Sequence, residues 1–343
     1  MNYSFTHCHH LMHTTTGIVV PVYIPKIVDT DQGQALLQDN VAALLPCVDN
    51  PSAICLSVDG KENGQDIAQH LSQEMGVSYT VAPSNRGKLQ SIRQGVQYLT
   101  GHDHFKYLAV IDQDGDHLGN ELVNFIRTGE YIAEKRNNPR VIVLGRRQSL
   151  HRPMGLLRGE LEELADRVLL DILMYHAAVT NKPLPLEYVL TLGDPPDFHS
   201  GYKLFDWKTA QSVFLSPPVQ SGVSDRCYFH HAVEAVIVVE ALESGAYLGA
   251  VNRTTINEQP MSTFGLYDRI QLVADKMIWP ARRLDIPVSF ISQWLSNHIP
   301  PLLLNTLVPD GKEELKQIRM TVLNTLNGEQ NGQFGEVLHP LFI

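Results

Sequence analysis

The residues best placed to do chemistry stand together in residues 107–117, YLAVIDQDGDH, where an apolar run delivers Asp112, Asp114 and Asp116 at alternate positions. Three carboxylates this close repel one another unless a cation is shared between them. A donor set made only of oxygen favours a hard divalent ion, Mg²⁺ or Mn²⁺. Held at a strand end, such an ion neutralises a departing diphosphate as a Lewis acid. A calcium loop of the EF-hand type fails on the same residues, because it needs glycine at His117 and glutamate at Val123. A solvated acidic turn is the bland alternative, and the apolar strand leading into the segment argues against it.

A second group is basic. In NRGKLQSIRQG, residues 85–95, Arg86, Lys88 and Arg93 stand at or just inside a helix start that follows a strand. Gly87 allows close approach, so this helix N-terminus can meet phosphate oxygens. Arg146 and Arg147 close the run 140–145, with Arg152 and Arg158 after them, and can steady a diphosphate or an acceptor phosphate. Three further candidate carboxylates lie outside these groups: Asp197, which opens DFHSGYKLF, Asp225 and Glu234. His231 is a candidate to complete a metal shell, against a packing role. His7, His9, His10 and His13 also have ligand chemistry, but a frayed terminus is the simpler expectation for MNYSFTHCHHLMHTTT.

The elements that must position these residues alternate. Strands are expected at the Gly17 segment GIVVPVY, 53–58, 77–82, 107–111 and 140–145, with helices over 35–45, 65–75, 88–99 and 118–134 between them. Near-continuous apolar strands alternating with helices specify a mostly parallel sheet covered on both faces. Ligands bind such sheets beyond the carboxyl ends of the strands, where the acidic and basic groups fall. From about 150 the alternation weakens: helices are expected over 156–178, 229–244, 264–278 and 312–327, around a proline-rich segment 183–196.

The chain has 343 residues, 43% hydrophobic and 19% charged, enough for a large α/β domain and an appendage. Its formal charge is −10 and its 27 Lys and Arg form no stripe, so no nucleic-acid partner is expected. Cys8, Cys47, Cys55 and Cys227 show no CxxC pair and read as reduced packing thiols of a cytoplasmic protein. No stretch reaches the roughly 18 apolar residues of a spanning helix. The best candidate, Ile286 to Val308, is broken by prolines and leaves only a peripheral membrane contact open.

Taken in order, these segments resemble the GT-A glycosyltransferases, especially family 2 and its dolichol-phosphate-mannose-synthase-like branch, over roughly residues 17–255. VVPVY (19–23), with Pro21 and Tyr23, is similar to the opening strand at the nucleotide pocket. Val58-Asp59-Gly60 looks like the strand-end aspartate on the base, and NRGKLQSIRQG like the family's N-x-G…R-x-G segment. IDQDGDH is DxD-like, and DFHSGYKLF (197–205) resembles the D-x-x-S-G-F segment on the acceptor side.

The resemblance implies an α/β GT-A (Rossmann-like) fold, mostly a parallel sheet covered by helices, with a helical C-terminal extension. Its parts would be a flexible 1–16, a catalytic domain 17–255 divided at 145/146 into nucleotide-sugar-binding and acceptor-side halves, and a helical extension 256–343. It implies a metal-dependent, inverting transfer from a UDP- or GDP-sugar to a soluble small-molecule or glycan acceptor. The donor would meet Pro21, Tyr23, Asp59, Asn85, Gly87, Lys88, Arg93, Asp112, Gln113, Asp114 and Arg147. Mg²⁺ or Mn²⁺ would meet Asp112, Asp114, Asp116 and His231, and an inverting transfer would take the acceptor hydroxyl's proton on Asp197, whose segment should face the acceptor, or else on Asp225 or Glu234.

Three alternatives stand beside it: a retaining GT-A transferase making a sugar–glycerate compound, a haloacid-dehalogenase-like phosphatase with Asp112 as nucleophile, and a non-catalytic nucleotide-sugar-binding protein. In the phosphatase motif threonine stands where this chain has Asp116. The usual double-aspartate turn after the second strand is reduced here to Asp59-Gly60-Lys61-Glu62-Asn63. A homodimer through the extension stays open.

Overall fold

The computed structural model describes residues 2–26, 28–101, 105–189, 195–255, 268–302 and 308–328, apart from the side chains of residues 152 and 153. Expectations for 190–194, 256–267 and the stretch beyond 328 lie outside the described residues.

Among the described residues seven strands form one sheet: β1 Thr16–Val22, β2 Ile54–Val58, β3 Ser78–Val81, β4 Tyr107–Val110, β5 Val141–Arg147, β6 Lys203–Asp206 and β7 Tyr247–Arg253. Their order is β3-β2-β1-β4-β6-β5-β7. Every pair is parallel except those of β6, which runs against both β4 and β5. The expected mostly parallel, helix-covered sheet is therefore present. Its central strands are buried along their whole length, which is why they read as unbroken apolar runs.

The helices are α1 Phe5–Thr15, α2 Thr30–Leu44, α3 Asn63–Met75, α4 Lys88–Leu99, α5 Leu122–Arg136, α6 His151–Thr180, α7 Trp207–Phe214, α8 Val233–Glu243, α9 Arg269–Arg283, α10 Val288–His298 and α11 Gly311–Asn327. α6 is broken at Gly155, whose φ is +74°. The four sequence-expected helices of the first half all form. The sequence reading passed over β6, α7, β7 and α10.

Two expectations are corrected. The histidine-rich start is an ordered helix, because Ser4 caps it and Cys8, Leu11 and Met12 are buried on its inner face, α1 packing on α5. The segment around Ile286 is not a free apolar surface: α10 buries Ile291, Trp294 and Leu295 and packs against α11, and Trp294 Nε1 donates to Asp171 at 2.5 Å. No described helix is long and apolar enough to cross a membrane.

β1 is the switch point. The chain steps from β1 outward through β2 to β3, then returns to place β4 on the other side of β1. The crevice in such a sheet opens between the carboxyl ends of the two diverging strands, here Val22-Tyr23 and Ile111-Asp112.

Candidate active site

At that crevice the two loops are joined by their own peptide-like pairing. Tyr23 N–H donates to Gln113 Oε1 at 3.0 Å, and Gln113 Nε2 donates back to the Tyr23 carbonyl at 2.6 Å. Asp59, beyond β2, accepts the backbone N–H of Arg86 at 2.7 Å and of Gly87 at 2.9 Å, so its carboxylate holds the loop that opens α4. Burial pushes the Asp59 carboxyl up, and the two N–H donors restrain the rise. Gly87 has φ +98°, and a Cβ there would collide with the Phe229 carbonyl. Only glycine fits.

Phe229 belongs to a single π-turn, Cys227–His231, closed by Ala232 N–H on the Cys227 carbonyl at 2.8 Å. The wider turn brings both His230 and His231 to the wall of a cavity of about 230 Å³. Pro21, Tyr23, Asp59, Asn85, Gly87, Lys88, Asp112, Gln113, Asp114 and Glu234 line the same cavity. These residues and His231, drawn from segments far apart in the chain, converge on one cavity.

The Asp112 carboxylate rests on Lys88 Nζ, 2.8 Å from Oδ1 and 2.9 Å from Oδ2, and the same ammonium reaches Glu234 Oε1 at 2.7 Å. Burial alone would lower the Lys88 pKa, but the two carboxylates win and raise it. Glu234 responds in reverse: burial would raise it, yet Lys88 and Lys203 hold it at about 2. Such a carboxylate is a weak base at neutral pH. Lys203 on β6 is itself buried, and burial lowers its ammonium to about 8. Gly201 explains how Asp112 fits, since a Cβ there would collide with Asp112 Oδ2. The backbone passes this close to the carboxylate because it carries no side chain at that point.

Asp114, Asp116 and His117 bring their ligand-type atoms within 4.8 Å of one another. They are not equally available. Arg253 Nη2 lies 3.3 Å from Asp116 Oδ2, Arg253 Nη1 donates to the Asp116 carbonyl at 2.9 Å, and His117 Nε2 lies 3.0 Å from Asp116 Oδ1. Asp112 N–H donates to His117 Nδ1 at 3.0 Å, so the ring proton sits on Nε2 and faces Asp116. Both ring nitrogens are spent on holding the DQDGDH turn. Burial lowers His117 to about 4 with help from Arg253, keeping the ring neutral. Burial would raise Asp116, but His117 (cationic where Asp116 titrates) and Arg253 hold it at about 2.

Asp114 is different. Burial first, then Asp116 and Asp112, push its carboxyl well above the ordinary range, and it shares a hydrogen bond with Asp116. A carboxyl whose ionisation is opposed by its neighbours is one a divalent ion would relieve. Oxygen donors from Asp112 and Asp114 therefore suit Mg²⁺ or Mn²⁺, whereas Asp116 and His117 are committed elsewhere.

The opposite wall comes from α6, the segment before β6, and α9. Lys276 Nζ meets Glu162 Oε1 at 2.8 Å, with Arg158 Nε at 4.0 Å. His199 Nδ1 lies 2.7 Å from Asp166 Oδ1, and His231 Nδ1 lies 2.6 Å from Asp275 Oδ2. Arg158, Glu162, His199, His230, Leu272 and Lys276 all line the cavity. Sequence reading did not assign Glu162, His199 or Lys276 to the site. The only local signal was His199 within DFHSGYKLF, and its partner lies one helix earlier.

Four expected residues fall elsewhere. Arg147 is buried against Asp197, with Nη2 2.6 Å from Oδ1 and both its Nε and its backbone N–H 2.9 Å from Oδ2. Neither lines the cavity. Burial would lower Arg147 and raise Asp197, but their pairing overrides both tendencies. Asp225 is exposed and accepts from Gln220 at 2.5 Å, and Arg93 Nη2 donates to the Ser216 carbonyl at 2.9 Å. All four described cysteines are buried and reduced.

No family model matches the chain, and no curated protein matches it. Among solved structures it is similar to glucosyl-3-phosphoglycerate synthase from Mycobacterium tuberculosis, determined with Mn²⁺, UDP-glucose and phosphoglyceric acid. The identity is 13%, the TM-score 0.49, and the match covers 83% of this chain and 85% of that one. A likeness of this size decides neither fold nor activity, which rest on the geometry above.

Proposed function

We propose that the chain is a metal-dependent glycosyltransferase that moves a sugar from a nucleotide-diphosphate sugar to a small acceptor hydroxyl. The observation that carries it is the placement of Asp112 and Asp114 at the switch-point crevice, in one cavity with the Asp59-held loop and Lys88. The sheet and its acidic strand end are what a GT-A enzyme needs. The base and ribose of the donor would lie between Pro21–Tyr23, Asp59 and Asn85, and its diphosphate near Asp112, Asp114 and the α4 N-terminus. A bound Mg²⁺ or Mn²⁺ supplies charge neutralisation for the leaving diphosphate.

This chain's own contributions are orientation and charge. Asp112 and Asp114 would hold the ion, with His231, fixed by Asp275, as the nitrogen candidate. Lys88 keeps Asp112 in place and is itself a cation facing the diphosphate. Asp197 and Asp225 are set aside as bases, the first tied to Arg147 outside the cavity and the second exposed.

The test is thermal unfolding of the full chain with UDP, GDP and ADP and their common sugars, with and without Mn²⁺. UDP-glucose with Mn²⁺ is the first pair to try. A ligand at 100 times its Kd stabilises the folded state by about 2.7 kcal/mol. The reading expects a metal-dependent rise with one nucleotide, lost in Asp114→Ala. No rise with any nucleotide, together with phosphate-ester hydrolysis lost in Asp112→Asn, would replace it with the phosphatase. Tight donor binding with no transfer to any acceptor would leave a nucleotide-sugar-binding protein.

A further inference from the structure

His199 lies in the cavity wall with its side chain almost wholly buried. Its Nδ1 is 2.7 Å from Asp166 Oδ1, and its backbone N–H donates to the same oxygen at 3.2 Å. An oxygen already accepting one N–H acts as acceptor to the ring as well, which puts the imidazole proton on Nδ1. Nε2 is then a bare lone pair. It meets no hydrogen-bond partner among the described residues. A buried acceptor without a partner costs about 1–3 kcal/mol, so such an atom in a ligand cavity marks where a donor group of the ligand belongs. The donor side of a sugar nucleotide is placed at the β1–β4 crevice. His199 lines the same cavity together with Arg158 and Glu162 of α6 and Lys276 of α9, outside the β1–β4 loops.

We infer that His199 Nε2 accepts the proton of the acceptor hydroxyl, and that Asp166 fixes its tautomer. The inference rests on the glycosyl-transfer reading and assigns a role that reading leaves vacant. In the step, the acceptor oxygen bonds to the anomeric carbon. The bond from that carbon to the donor's phosphate oxygen breaks, its electron pair leaving on the nucleotide diphosphate, and the hydroxyl proton passes to Nε2. The carboxylates are less suited: Glu234 is held by Lys88, and Asp197 is held by Arg147 outside the cavity. His231 is built in the same way by Asp275 but belongs to the proposed metal set. Because Nδ1–H is spent on Asp166, the group facing Nε2 must be an O–H or N–H, and a ligand group that only accepts hydrogen bonds is excluded there.

The experiment compares wild type with His199→Gln and Asp166→Asn in the full chain, using UDP-glucose and GDP-mannose with Mn²⁺ and with water and glycerol as acceptors. Glutamine keeps a hydrogen-bonding group near Nε2 but cannot carry the proton. His199→Gln is expected to keep the Mn²⁺-dependent nucleotide stabilisation and to lose at least about a hundredfold in turnover, the usual weight of a positioned base. Added imidazole should partly restore His199→Gly, which a purely structural role would not allow. Nitrogen-15 spectra of the nucleotide-bound protein should show His199 as the Nδ1–H tautomer, an arm that needs no acceptor. A proton on Nε2 would overturn the role. So would turnover within threefold of wild type in His199→Gln with nucleotide stabilisation intact. Absence of any nucleotide response in wild type overturns the transfer reading, and this inference with it, through a different arm. If His199→Gln does not fold, imidazole rescue of His199→Gly and the wild-type tautomer decide.

Discussion

Asp114→Asn should make the metal-free protein more stable while removing its response to metal. In wild type the carboxyl is crowded by Asp116 and Asp112 and buried enough that its ionisation is opposed. A folded-state pKa above the unfolded one contributes stability that is present at low pH and lost as pH rises through the raised value. Above the raised value that contribution is gone, and the buried carboxylate beside Asp116 and Asp112 is a cost. Asparagine is nearly isosteric, cannot ionise, and offers Asp116 an N–H, a charge-assisted hydrogen bond of about 1.5–3 kcal/mol. Unfolding entropy near 2.1 cal/mol/K per residue over 343 residues is roughly 0.7 kcal/mol/K. A gain of about 2 kcal/mol therefore raises Tm by about 3 °C. Calorimetry in EDTA, followed to alkaline pH, gives this number, and repetition with Mn²⁺ and UDP gives the second half. An Asp114→Asn protein that is less stable than wild type in EDTA, or that keeps the Mn²⁺-dependent rise, would refute the reasoning. The same proton makes Mn²⁺ binding weaken as pH falls, because metal and proton compete for one carboxyl.

Gly201→Ala should weaken Mn²⁺-dependent nucleotide binding at least tenfold by calorimetric titration, since its Cβ would displace the Asp112 carboxylate. Burial lowers His117 from 6.5 to about 4, so stability should be full above pH 6.5 and fall by about 3 kcal/mol as pH drops from 6.5 to 4. The rising protonation of Asp114 offsets part of that loss. Urea unfolding against pH should show a shallower slope in His117→Gln than in wild type. Asp197→Asn breaks a buried pair with Arg147 and should cost about 3–5 kcal/mol of stability, while the folded fraction binds nucleotide as wild type does. A large loss of turnover at unchanged stability would return Asp197 to the list of bases.

The sheet was legible because its strands are buried on both faces and its helices carry apolar residues at helical spacing. What did not show was pairing between distant segments. Asp116 looks like Asp112 and Asp114 in a linear reading, and only the fold reveals Arg253 waiting at the end of β7 to neutralise it. Asp197 is the first-choice base because DFHSGYKLF should face an acceptor, but Arg147 claims that carboxylate, while His199 two residues on is oriented by Asp166. The opening helix was hidden by its polar composition, although Cys8, Leu11 and Met12 lie three and four apart, as one buried face requires. β6 was missed because four residues of an antiparallel strand carry too little pattern to register.

α9 gives the cavity Leu272 and Lys276, and gives His231 its partner Asp275. The crevice between β1 and β4 can form as soon as those strands pair, yet its far wall waits for a helix that leaves the ribosome much later. Until α9 emerges during synthesis, Glu162 lacks Lys276 and the His231 ring lacks Asp275. Pairing these buried groups is therefore a late event in synthesis, one that follows the pairing of β1 with β4.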